Sequence, residues 1–93
     1  MPSAVRPAFA PRYAAVKSLD ISNVAANTVA DQTFNVDGLR EDIMVVIAFP
    51  GLNAGLVICN AHVSAKNTLK VRFFNQTGSG IDPTAQNCFI MAF

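Results

Sequence analysis

The chain has 93 residues, of which 52% are hydrophobic and 14% charged, and its formal net charge is +1. This length supports a single domain with a modest core, and the near-neutral balance excludes a bulk attraction to polyanions. Small domains need proportionally more polar covering than large ones. A charge content well below the roughly 25% of ordinary globular chains therefore predicts a surface partly covered by other protein, although alanine supplies some of the apolar share without making sticky patches.

Residues 1–15 contain Pro2, Pro7 and Pro11 among several alanines. Proline fixes φ and removes a backbone donor, so this stretch predicts an extended arm, with the folded domain at 16–93. Arg6, Arg12 and Lys17 fall here with no acid among them, which suits contact with an acidic protein surface. It is too sparse for a nucleic-acid clamp, which needs many phosphate contacts. The prolines also interrupt any secretory signal pattern. The longest apolar run, Ile43 to Phe49, falls far short of the roughly 20 residues that span a bilayer. These features predict no membrane association, and synthesis in the cytoplasm before joining an assembly.

From Val16 the pattern turns to period two, with Leu19, Ile21 and Val24 apolar among polar neighbours, predicting a first strand. A second strand starts near Thr28 and ends at the turn dipeptide Asp37-Gly38. Ile43 to Phe49 is a continuous apolar run closed by Pro50-Gly51, which predicts a strand buried on both faces at the centre of the core. Leu56 to Ser64 alternates two sets of side chains. Val57, Cys59, Ala61 and Val63 are uniformly apolar and are expected to face inward, whereas the other set turns polar at Asn60 and His62. Ala65 to Thr68 reads as a hairpin turn. Leu69, Val71 and Phe73 alternate with Lys70, Arg72 and Phe74 as a half-buried strand. Asn75 to Pro83 is a long loop, and Cys88 to Phe93 a closing strand. About six strands with short regular spacing and no helical pattern predict an all-β fold, an antiparallel sandwich or a small barrel.

Little in the chain has the form of catalytic chemistry. His62 is the single imidazole, and nothing in the sequence sets an acid beside it; a structural or interface histidine is the expectation. Glu41 and Asp42 are adjacent and diverge in an extended chain, so they do not form a carboxylate pair. Gln76 to Gly80 is Gly-rich but lacks the lysine and helix of a phosphate loop. Arg72 beside Phe73 and Phe74 could stack on nucleic acid, without electrostatic support from the rest of the chain. Cys59 and Cys88 have no metal-ligand spacing. They are expected as free thiols in apolar strands, with a disulfide open only if their two strands are neighbours in register. No enzyme activity, cofactor or metal is expected.

The segment GLNAGLVICNAHVSAKNTLKVRFFNQTGSGIDPTAQ, Gly51 to Gln86, resembles small virion proteins of tailed bacteriophages. The likeness lies in the Gly-Leu loop, the Leu-Val strand ending near Val63-Ser64-Ala65, the Asn67-Thr68 turn, Val71-Arg72-Phe73, and the passage through Thr77-Gly78 to Ile81-Asp82-Pro83. It implies a structural protein of the capsid decoration (cement) type, located on the virion and bound to the major capsid protein. The same resemblance implies a homo-oligomer, a trimer before a dimer. The arm residues Arg6, Phe9, Arg12 and Tyr13 are the candidate shell contacts, because arginine and aromatic side chains are the usual interface anchors. A tail or fibre module that binds the host surface through the Gln76 to Pro83 loop is the alternative.

Overall fold

The computed structural model describes residues 11–93. They form six strands: β1 (Tyr13–Leu19), β2 (Val29–Asn35), β3 (Val45–Ala48), β4 (Leu56–Ala65), β5 (Thr68–Asn75) and β6 (Gln86–Ala92). These make two three-stranded sheets, ordered β1-β6-β3 and β2-β5-β4, and every strand pairing is antiparallel. The all-β expectation of six strands holds, in its sandwich form. Only the β4–β5 connection is a hairpin within one sheet. Each of the other connections carries the chain from one sheet to the other, so the layers are stapled by backbone as well as by packing.

The core lies between the sheets. Cys88 and Ile90 of β6 and Leu69, Val71 and Phe73 of β5 are fully buried and face each other across it. Phe49, just beyond β3, meets Phe73 of β5 at a centroid distance of 6.0 Å with the rings tilted by 54°, a favourable aromatic geometry that spans the layers.

Strand bounds differ from the sequence pattern in instructive ways. β1 begins at Tyr13, not Val16, and stops at Leu19. Ile21 and Val24 continue the apolar pattern and are fully buried, but from a loop. Ser22 N donates to Gln32 Oε1 at 2.8 Å and Gln32 Nε2 returns a bond to Ser22 O at 2.9 Å. Val24 is bridged to Ile81. A side-chain clamp at Ser22 and a single backbone bridge at Val24 thus replace a longer sheet ladder there.

The run Ile43 to Phe49 is not the centre of the core. Its paired part is only Val45–Ala48, at the edge of its sheet, and Met44 and Val46 are 57% and 49% exposed. The central strands are β5 and β6. In β4 the ladder shifts between Ile58 and Asn60. That bulge reverses which alternating set faces inward: Leu56 and Ile58 point to the core before it, Ala61 and Val63 after it, and Val57 and Cys59 stay exposed. At the β4–β5 hairpin Asn67 adopts a left-handed φ of 60°, which asparagine tolerates. Its Oδ1 accepts from Gly38 N at 2.9 Å, its N donates to Leu39 O at 2.9 Å, and its O accepts from Val36 N at 2.8 Å. One residue therefore ties the hairpin to the Asp37-Gly38 turn.

Candidate interaction surfaces

The two outer faces of the sandwich differ in chemistry. On the β1-β6-β3 sheet, register sets Val16 beside Phe89 and Phe89 beside Ala48; the next row is Ala14, Met91 and Val46. These residues line a shallow groove of about 620 Å³. Val16 is 58% exposed, Phe89 48% and Met91 42%. With Val16, Met44, Val46, Phe89 and Met91 each between 42% and 58% exposed, the apolar surface is on the order of a few hundred Å². That is as large as the biggest patch of a typical monomer. A small-molecule site of this volume would hold a few convergent polar groups to fix its ligand; the lining here is wholly apolar. The surface therefore suits another protein surface.

The outer face of the β2-β5-β4 sheet is charged at one end. Arg72 holds Asp31 through a bidentate pair, Nε to Oδ1 at 2.7 Å and Nη2 to Oδ2 at 3.1 Å, and Lys70 Nζ stands 3.8 Å from Asp31 Oδ2. The hydrogen bond from Arg72, assisted by the charges of Arg72, Lys70 and His62, holds the Asp31 carboxyl below its ordinary value. Asn60 and His62 complete the cluster, with Asn60 Nδ2 3.4 Å from His62 Nδ1. So the fold does bring an acid near His62, through a register that the linear sequence does not reveal. That acid is already committed to Arg72 and Lys70, and the group is solvent-exposed, so nothing here resembles a poised acid–base pair. At the other end of this face Val29, Phe74 and Val57 form an apolar strip.

Of the expected contact residues, Arg6 and Phe9 lie outside the described residues. Arg12 is exposed, with its backbone N bonded to Ala92 O at 2.7 Å. Tyr13 is the first residue of β1 and packs on the core; a Cβ on Gly38 would stand 2.8 Å from its ring. Tyr13 therefore serves the fold, and of these two adjacent residues Arg12 is the one free to reach a partner.

The loop after β5 is ordered by Asn75, which is fully buried. Its Nδ2 donates to Val24 O and Ser79 O, both at 2.9 Å, and its Oδ1 accepts from Thr77 N at 2.9 Å and Thr77 Oγ1 at 2.7 Å. Cys59 and Cys88 are both free; Cys59 is exposed on β4 and Cys88 buried on β6, in different sheets. Burial pushes the Cys88 thiol up to about 11. Among the described residues no group of three or more His, Cys, Asp or Glu could hold a metal ion, and no helix is long and apolar enough to cross a membrane.

No protein-family model, no curated protein and no solved structure matches this chain.

The apolar face was the feature least visible in the sequence. Its signal was present in two strands, Ile43 to Phe49 and Cys88 to Phe93, that are apolar on both sides. In a two-layer sandwich only one side of a strand meets the core, so a doubly apolar strand must present the other side outward.

Proposed function

We propose that this protein is a non-catalytic virion structural protein of the capsid decoration type, which binds the outer surface of a tailed-phage shell and stabilises it. The observation that supports an assembly role over substrate chemistry is the apolar outer face of the β1-β6-β3 sheet, a surface for protein contact that leaves the arm to reach the shell. The resemblance of Gly51 to Gln86 to small virion proteins supports the phage assignment. Cementing requires buried area and not reactive groups: weak contacts repeated over many copies give high avidity. Arg6, Phe9 and Arg12 are the proposed contacts to the major capsid protein, and Tyr13 supports them from within β1.

The test is cosedimentation of the purified protein with undecorated shells, followed by electron microscopy of the particles. The expected result is ordered density on the icosahedral shell, with binding lost in a variant carrying Arg6→Ala, Phe9→Ala and Arg12→Ala. Density confined to the tail would replace this reading with a tail or fibre module. Binding to neither structure would remove the virion assignment.

A further inference from the structure

The outer face of the β1-β6-β3 sheet has an internal symmetry. Beside the polar pair Ser18 and Asn87, the two register rows that span all three strands read Val16, Phe89, Ala48 and Ala14, Met91, Val46. Each row has a large side chain in the middle on β6, with valine at one end and alanine at the other, and the two rows place valine and alanine in opposite order. From this pattern we infer that the occupant of the face is a second copy of this chain, stacked sheet on sheet about a two-fold axis.

A two-fold contact between identical faces requires the surface to complement itself. If the axis lies in the contact plane along the strands, Val16 sits over the partner's Ala48 and Ala14 over the partner's Val46. If it lies in the plane across the strands, Val16 sits over the partner's Ala14 and Ala48 over the partner's Val46. Either operation puts a valine against an alanine at all four corners and leaves Phe89 and Met91 as the central contacts. Large against small lets the two faces interdigitate at the corners, while the centre stacks Phe89 on the partner's Phe89 or on the partner's Met91 as an apolar contact.

Charge agrees with shape. None of the six side chains is ionisable, so self-stacking brings no like charges together. On the opposite face, stacking would press Arg72 and Lys70 toward their own copies. Area agrees as well. A few hundred Å² per copy gives at most roughly 1,000 Å² in total, at the low end of specific interfaces, where weak association is expected. A two-fold contact closes with two copies, so this contact makes a dimer where the phage resemblance implied a trimer first. The inference deepens the reading of this face as an assembly surface.

Sedimentation equilibrium of the full chain across the micromolar range tests it without any shell, so its outcome is separate from that of the shell-binding experiment. The mass should rise from one chain to two. Phe89→Glu should raise the dissociation constant at least about a hundredfold, because it buries an unpaired charge. Phe89 lies outside the core, so circular dichroism should show the variant folded. The double variant Ala14→Phe and Ala48→Phe should weaken association about tenfold, since bulk at the small corners opposes valine. Val57→Glu, on the other sheet, should leave it unchanged. The inference is overturned if the chain stays monomeric, if it forms a closed trimer, or if added phenylalanines strengthen the contact as non-specific stickiness would. Loss of association in Val57→Glu would also overturn it, by assigning the interface to the apolar strip on the opposite sheet.

Discussion

Replacing Asn75 by alanine should be among the most damaging single substitutions on the polar side of this fold, and its size can be worked bond by bond. The truncation removes four side-chain hydrogen bonds. Two acceptors keep another partner: Val24 O still receives Ile81 N at 3.0 Å, and Ser79 O still receives Thr77 Oγ1 at 2.8 Å. The Thr77 hydroxyl turns fully to Ser79. Only Thr77 N is left with no acceptor, in a partly buried position. One orphaned donor plus the loss of the remaining bonds gives a cost of about 2–4 kcal/mol. That is a large share of the roughly 5–15 kcal/mol that holds a small domain together, and it corresponds to a fall in melting temperature of about 10–25 °C. Thermal and urea unfolding followed by circular dichroism measure it, with hydrogen exchange at residues 76–83 reporting whether the loop loosens first. Asn75→Asp supplies the sign. Its carboxylate still accepts from Thr77, but its second oxygen faces the Val24 and Ser79 carbonyls with no proton to offer. Folding therefore favours the protonated acid and raises its pKa. The variant should be nearer wild type below the unfolded-state carboxyl value and lose stability as pH rises from there through the folded-state value. If Asn75→Ala melts within about 0.5 kcal/mol of wild type, the loop is not held by this side chain and the reasoning fails.

Two further predictions concern the titratable groups. Arg72 holds the Asp31 carboxyl below its ordinary value of 3.8, so the stabilisation it provides is complete above that value and lost as pH falls through the lower folded-state one. Asp31→Asn should flatten the acid limb of stability against pH while leaving the apolar face untouched, and an unchanged acid limb would show that the pair contributes nothing. With the Cys88 thiol pushed up to about 11 and buried, a thiol reagent at pH 8 should titrate one cysteine, Cys59, in the native protein and two after unfolding. Two fast-reacting thiols in the native state would contradict the placement of Cys88 at the core.

Much of the architecture could be read from local pattern because local physics decides it. Leu69, Val71 and Phe73 alternate with Lys70, Arg72 and Phe74, and they lie inward as period two requires. Asp37-Gly38 and Lys66-Asn67 mark turns because their backbones adopt positive φ at Gly38 and Asn67. What could not be read depends on partners distant in sequence. The bulge near Cys59 reverses the inward set of β4, and no residue type announces it. The edge position of β3 follows from strand order, which arises only when the chain crosses between sheets. The charged cluster of Asp31, Asn60, His62, Lys70 and Arg72 gathers residues from three strands, so neither its geometry nor the acid near His62 has a local signature. The contact role expected of Tyr13 could not be separated from a packing role without knowing that Gly38 lies against its ring.

The edges of the sandwich bear on where association can occur. A free strand edge recruits other chains by extending the sheet, and proteins discourage this with short strands, bulges and charges aimed inward. Each device is present. β1 carries Lys17 opposite Cys88 in register, hence on the inward side of its edge, where stacking another strand would strand its charge. β3 has only four residues. β4 is broken by its bulge at the position where a ladder would have to continue. On β2, Gln32 points inward and is spent on the Ser22 clamp. With edge pairing opposed at all four outer strands of the described residues, face-to-face contact is the geometry open to the inferred dimer. Such a contact has a defined partner and a closed stoichiometry, whereas edge addition propagates. A sequence that guards its edges while leaving one sheet face apolar favours a bounded assembly over a fibril.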